Sequence, residues 1–277
     1  MIRVSNRFTK LKEFDFQSGG SSKGVLAKCF TEDSAGRFLL KTGSYTKPSF
    51  SNLEPVTECI CSDLLDLFKI KHAKYELEYC ICKESDLWKS KKVLVCKTRL
   101  FTDEDNVLIS GEKLIGNERD YFKVSRTIGS SLQLDFDNMI VFDYLVNNTD
   151  RHHNNFGILV NAKNRTKVIS PLFDHGFSLL SDFDSDYLET EDFDVVYEDC
   201  DYSKLCNKSN YLQLKNIKRF TLNLEFIKDD VESVFLKYKD LVPEWRMSLM
   251  KEVFSRRLDY VREDFIKDGE YYIRRSN

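Results

Sequence analysis

Asp150 and Asn155 lie five residues apart in the polar run Asn147-Asn148-Thr149-Asp150-Arg151-His152-His153-Asn154-Asn155-Phe156-Gly157. A second carboxylate, Asp174, follows in Ser170-Pro171-Leu172-Phe173-Asp174-His175-Gly176. Phosphoryl transfer uses such parts. One carboxylate takes the proton of an attacking hydroxyl, while an amide oxygen and a second carboxylate hold metal against the phosphates. Asp150 is the candidate base, and Asn155 and Asp174 are the candidate metal ligands. A metal-hydrolase site built from Asp150, His152, His153 and His175 is the competing chemistry. Adjacent loop histidines lack the helical spacing of an H-E-x-x-H pair, which argues against it.

These residues must be presented by the elements around them. Phe136, Met139, Ile140, Tyr144 and Leu145 recur at helical spacing, so a helix over residues 135–147 runs into the loop. A strand over 156–160, a turn over 161–165 and a return strand over 167–169 then bring Asp174 back beside Asn155. Near the start, strand patterns over 11–16 and 25–30 flank Ser18-Gly19-Gly20-Ser21-Ser22-Lys23-Gly24. Gly19 and Gly20 let backbone approach phosphates, with Ser21 and Ser22 beside them and Lys23 adding charge. No Walker A motif is present. A third strand, over 37–41, ends in Lys41. A helix over 54–68, with Pro55 suited to its first turn, buries Ile60, Leu64, Leu67 and Phe68. Glu58 flanks that stripe and is the expected partner of Lys41, with Glu54 as the fallback. Strands over 75–82 and 93–96 follow, and the chain then crosses to a second lobe. Backbone near Cys96 and Thr98 is expected to meet adenine.

Residues 102–131 carry no clear period. Residues 181–201 hold ten Asp or Glu and no Lys or Arg, which suits either a surface for a basic substrate or a mobile solvated loop. The remainder reads as helical. Leu224, Ile227, Val231, Val234, Phe235 and Tyr238 form one stripe. Trp245, Leu249, Val253, Phe254, Leu258, Val261 and Phe265 form another, after Pro243.

Composition agrees with a folded globular chain: of 277 residues, 42% are hydrophobic and 31% charged. A net charge of -3 provides no global field for nucleic acid. Eight cysteines in a chain this long do not make a disulfide scaffold. Cys59-Ile60-Cys61 and Cys80-Ile81-Cys82 lack the C-x-x-C spacing of zinc sites, so free thiols in a reducing cytoplasm are expected. No signal-peptide pattern opens the sequence, and no apolar run approaches a membrane span.

On these motifs the chain resembles the HipA-like family of bacterial serine/threonine kinases. The family's D-x-H-x-K-N-F loop corresponds to Asp150-Arg151-His152-His153-Asn154-Asn155-Phe156, with Asn154 where Lys is usual. Its P-x-Y-D corresponds to Pro171-Leu172-Phe173-Asp174, and its phosphate loop to Ser18 through Lys23. The loop is also similar to the D-R-H-x-x-N of phosphoinositide kinases. The resemblance implies an α+β, two-lobed protein-kinase-like fold, with a small β-rich N-lobe over 1–98 and a larger helical C-lobe over 99–277. The resemblance is to a short form, expected to lack the large N-terminal subdomain of long members. The resemblance further implies ATP and Mg as cofactors, Asp150 as base, Asn155 and Asp174 as Mg ligands, Lys41 on the ATP phosphates, His152 as loop support and autophosphorylation at Ser18. Some members of the family it resembles are toxins that phosphorylate translation components and are restrained by a helix-turn-helix antitoxin partner. The expected substrate is a protein and the expected compartment the cytoplasm, with export as an effector open. The alternatives are a phosphoinositide-like lipid kinase and an inactive kinase fold used as a binding module.

Overall fold

A computed structural model describes residues 5–10, 28–43, 53–81, 92–225 and 228–276. The expected phosphate loop, with Ser18, Gly19, Gly20, Ser21, Ser22 and Lys23, lies outside the described residues, as do the strand over 11–16 and Cys82.

The N-terminal part is built on β1 (Ser5–Lys10), β2 (Lys28–Asp33), β3 (Gly36–Thr42), α1 (Glu54–Leu67), β4 (Tyr75–Ile81) and β5 (Lys92–Arg99). Its sheet has the order β1-β4-β5-β3-β2, antiparallel except where β1 runs parallel to β4. Register aligns Lys28, Lys41, Cys96 and Leu77 across four adjacent strands. Residues directly opposite one another share a face of a sheet, so this row looks toward α1. The other face carries a small cluster of Leu40, Cys80, Val93 and Val95.

The larger part contains β6 (Asn106–Ser110), α2 (Gly111–Ile115), α3 (Tyr121–Ile128), α4 (Gln133–Leu145), β7 (Gly157–Asn161) and β8 (Lys167–Ile169). It continues through α5 (Ser185–Thr190), α6 (Phe193–Asp199), α7 (Asn210–Leu214), β9 (Arg219–Phe220), α8 (Lys228–Leu236), α9 (Glu244–Asp264), β10 (Phe265–Asp268) and β11 (Tyr271–Arg274). Helix α4 is central. Every residue from Met139 through Leu145 is buried, and such all-round burial marks a core helix. The main core joins α1, α4 and α9: Phe68 meets Phe142 edge-on at 5.7 Å and Phe254 at 6.3 Å.

Three readings of the sequence change. The unperiodic stretch 102–131 supplies β6, α2 and α3, and β6 adds a strand to the β7–β8 hairpin. The acidic stretch is folded, not a loop, and forms α5 and α6. Its carboxylates have structural work, because Asp184 and Asp192 cap those helices by accepting backbone N–H bonds. The C-terminal portion is not wholly helical: Phe265 leaves α9 to begin β10, which joins a β10-β11-β9 sheet.

The two parts meet along the approach to Asp174. Ala73 donates its N–H to the Leu172 carbonyl at 2.8 Å, and Leu172 returns a bond to Lys71 at 3.0 Å.

Candidate active site

Lys41 ends the apolar run of β3, and its ammonium forms ion pairs with Glu58 of α1 and with Asp174. Lys41 is 3% and Glu58 1% exposed. An ammonium buried that deeply survives only when paired. Burial alone would lower the Lys41 pKa, but Asp174 and Glu58 outweigh it and hold it well above the ordinary lysine range. Burial raises the Glu58 carboxyl, against the pull of Lys41. Burial would raise Asp174 too, yet Lys41, Lys28 and Arg151 together hold it well below the usual carboxylate range.

The chain around Asp174 is bent to make this contact. Asp174 has φ +63°, a left-handed conformation that costs a non-glycine residue about 1–2 kcal/mol. Two bonds sustain it: the His175 N–H donates to Glu58 Oε2 at 2.8 Å, and the Asp174 N–H donates to the Tyr75 hydroxyl at 3.4 Å. A Cβ on Gly176 would stand 3.3 Å from the Glu54 Cβ, so a glycine there lets α1 approach closely.

The Asp150 loop begins where α4 ends and is tied back onto that helix. Asn148 donates its side-chain amide to Asp143 Oδ1 at 2.9 Å, and Asn148 Oδ1 accepts the Asp150 N–H at 3.0 Å. Arg151 is the hub and is fully buried. Its Nε donates to Asp143 Oδ2 at 2.7 Å and its Nη2 to Asp143 Oδ1 at 3.0 Å, a two-pronged pair. Its Nη1 donates to the carbonyls of both Asn155 and Phe173, so one nitrogen joins the loop to the residue before Asp174. Its Nη2 also donates to His175 Nε2 at 2.8 Å. A guanidinium can only donate, so this ring nitrogen accepts and His175 is neutral. Burial, then Arg151, lower the His175 pKa well below its ordinary value.

Asn155 is buried and donates Nδ2 to the Asp150 carbonyl at 3.0 Å, which leaves its Oδ1 as the atom for a cation. Asp174 keeps 26% of its side chain exposed. Two hard oxygen donors of this kind, completed by phosphate oxygens, suit Mg. Among the described residues no cluster of three or more His, Cys, Asp or Glu forms a self-contained metal site.

Lys41, Glu58 and Asp174 therefore meet as one cluster, and Arg151 ties the Asp150–Asn155 loop to the residue before Asp174. Glu58, not Glu54, takes Lys41. His152 stays at the rim, with Nδ1 accepting the Asn154 N–H at 3.1 Å and Nε2 lying 3.9 Å from Asp150 Oδ2. The adenine assignment needs correction. Cys96 and Thr98 pair with β3 on one side and β4 on the other, so their backbone groups serve the sheet. The Cys96 side chain instead faces Lys41, and burial pushes its thiol well up.

Sequence reasoning gave no role to Arg151, Asp143, Lys28 and Lys204, and weighed His175 only as a metal-hydrolase residue. Asp143 left a signal, as a charge inside an apolar helix pattern. Lys28 lies opposite Lys41, where burial lowers its pKa and Asp174 pulls it back up. Lys204 forms an ion pair with Asp150 across 54 residues of sequence.

No protein-family model matches the sequence, and no curated protein matches it. Solved structures do. The Helicobacter pylori proinflammatory kinase CtkA superposes with a TM-score of 0.57 at 18% identity, over 87% of this chain and 89% of that one. A chain of the Shewanella oneidensis MR-1 HipA, HipB and operator DNA complex gives 0.47 at 12% identity, over 93% of this chain and 70% of that one. The Golgi casein kinase gives 0.45 at 13% identity, over 89% and 71%. The fold is α+β and kinase-like.

Proposed function

We propose that this chain is an ATP-dependent protein kinase acting on serine or threonine hydroxyls. One observation carries the proposal: Lys41, Glu58 and Asp174, from three separate elements, meet as a buried ion cluster whose one partly open carboxylate borders the Asp150 loop. In the proposed reaction Lys41 binds ATP phosphate oxygens and Glu58 keeps it oriented. Asn155 and Asp174 would hold Mg, which when bound neutralises charge on the phosphates. Asp150 accepts the proton of the incoming hydroxyl. That oxygen bonds to the γ-phosphorus, the bond to the β-phosphate oxygen breaks, and ADP leaves. The likeness of the fold to that of the CtkA kinase agrees with this reading.

The test is transfer of labelled phosphate from Mg-ATP by the full chain, with nucleotide affinity measured in parallel. Asp150→Asn should bind Mg-ATP and fail to transfer. Asp174→Ala should lose Mg-dependent affinity. Full transfer by Asp150→Asn would overturn the base assignment, and absence of transfer and nucleotide binding in the wild type would leave a binding module. A protein substrate such as a translation component, a helix-turn-helix partner and self-modification at Ser18 are further parts of the proposal. Mass spectrometry after incubation with Mg-ATP tests the last: phosphate at Ser18 should be present in the wild type and absent in Asp150→Asn.

A further inference from the structure

The Asp150 loop itself sets no lysine or arginine against the Asp150 carboxylate. Arg151 is sealed in the core on Asp143, Asn155, Phe173 and His175. His152 Nε2 stands 3.9 Å away. The cation on Asp150 comes from the segment between α6 and α7: Lys204 Nζ pairs with Asp150 Oδ1.

This is not a lysine that drifted onto a nearby carboxylate, because its backbone is clamped on both sides. Ser203 and Leu205 are buried. The Ser203 N–H donates to the Lys208 carbonyl at 2.9 Å, and Gln213 Nε2 donates to Ser203 Oγ at 2.6 Å. The Cys206 N–H donates to Gln213 Oε1 at 2.7 Å. Asn210 Nδ2 donates at once to the Tyr202 carbonyl at 2.9 Å and to the Asn148 carbonyl, two residues before Asp150, at 3.0 Å. The base and the lysine are thus pinned to one frame, while the lysine side chain stays 41% exposed.

We infer that Lys204 is a positioning residue for the transfer proposed above: it holds Asp150 by Oδ1, so that Oδ2 faces the incoming hydroxyl and takes its proton. Nothing is consumed by this contact; the proton moves to Asp150 and the lysine keeps its own. The inference rests on the kinase reading.

The experiment uses the full chain with Mg-ATP, reading autophosphorylation with labelled ATP, nucleotide affinity and melting temperature. The variants are Lys204→Met, Lys204→Arg and, as a control on the same segment, the exposed Lys208→Met. A positioned general base contributes about 10²–10⁴-fold. Removing only its positioning partner should cost a fraction of that, so Lys204→Met is expected to slow transfer by roughly ten- to a hundredfold, with nucleotide affinity and melting temperature near wild type. Lys204→Arg should recover most of the rate, and Lys208→Met should match the wild type. Wild-type transfer by Lys204→Met overturns the inference and leaves the kinase reading standing. So does a loss of nucleotide affinity in step with rate, which would make Lys204 a nucleotide ligand. An arginine variant as slow as the methionine variant also overturns it, since charge would not be the cause. Wild-type chain that binds Mg-ATP and transfers nothing overturns the kinase reading, and this inference with it.

Discussion

Two ion pairs border the same loop and differ in nearly every physical respect. Arg151 and Asp143 lie beneath it, 0% and 2% exposed, with further bonds to Asn155, Phe173 and His175. Lys204 and Asp150 lie on its open side, 41% and 21% exposed. A buried pair is costly to break from one side, because the remaining charge has no water to turn to. An exposed pair contributes only about 0–1 kcal/mol to stability. The lower pair therefore holds the loop in shape, while the upper pair is free to be spent on chemistry. At this loop burial thus separates the structural pair from the reactive one.

The sharpest way to break this division is Arg151→Met. It strands Asp143 in the core, and should cost about 3–5 kcal/mol of stability and abolish transfer. Denaturant unfolding measures the loss, and a cost under about 1 kcal/mol would erase the contrast. Asp150→Ala should do the opposite. Transfer should fall by about 10²–10⁴-fold, with unfolding free energy within about 1 kcal/mol of wild type.

A smaller effect concerns whether the buried cluster acts as one unit. Lys41→Met and Glu58→Gln should show a coupling of about 0.5–3 kcal/mol in a double-mutant cycle on transfer, since each residue orients the other. Purely additive losses would separate them.

The smallest expected effect is a pH slope. His175 is held neutral, with its folded pKa far below the unfolded value of about 6.5. Below about pH 6.5 the unfolded chain therefore binds a proton that the folded chain refuses. Stability from this group is complete above that pH and falls as acid is added. Between pH 7 and 5.5 the loss should be on the order of 1 kcal/mol. His175→Gln keeps an acceptor for Arg151, so it should flatten the slope relative to wild type. Equal slopes in the two proteins would show that His175 titrates normally.

Much of the fold was legible where pattern and burial coincide. The helix expected over 54–68 is Glu54–Leu67, and the one expected over 135–147 is Gln133–Leu145, because apolar spacing reports a buried face. The hairpin between Asn155 and Asp174 is read almost to the residue. The acidic stretch was not legible as helix. Its charges mask weak periodicity, and its short helices are held by the aspartate caps and by packing of Leu188 and Val196 with Val253 of α9. The strands β9, β10 and β11 were missed for a related reason. They run two to four residues each, too short to show alternation, and β9 pairs with β11 across about 50 positions of chain.

By itself the sequence determined which groups could do chemistry: the Asp150 to Asn155 spacing, Asp174 beyond a hairpin, a lysine closing an apolar strand and a glutamate at the edge of a helix stripe. These are local facts, carried by residue type and short-range period. Tertiary structure alone decided how the charges are allotted. Arg151 and Lys204 are both cations near Asp150 in space, and no local pattern separates the inward one from the outward one. That choice depends on desolvation: Asp143, the carbonyls of Asn155 and Phe173, and His175 together offer enough partners to bury one guanidinium, and those partners assemble only when α4, the loop and the approach to Asp174 pack against each other.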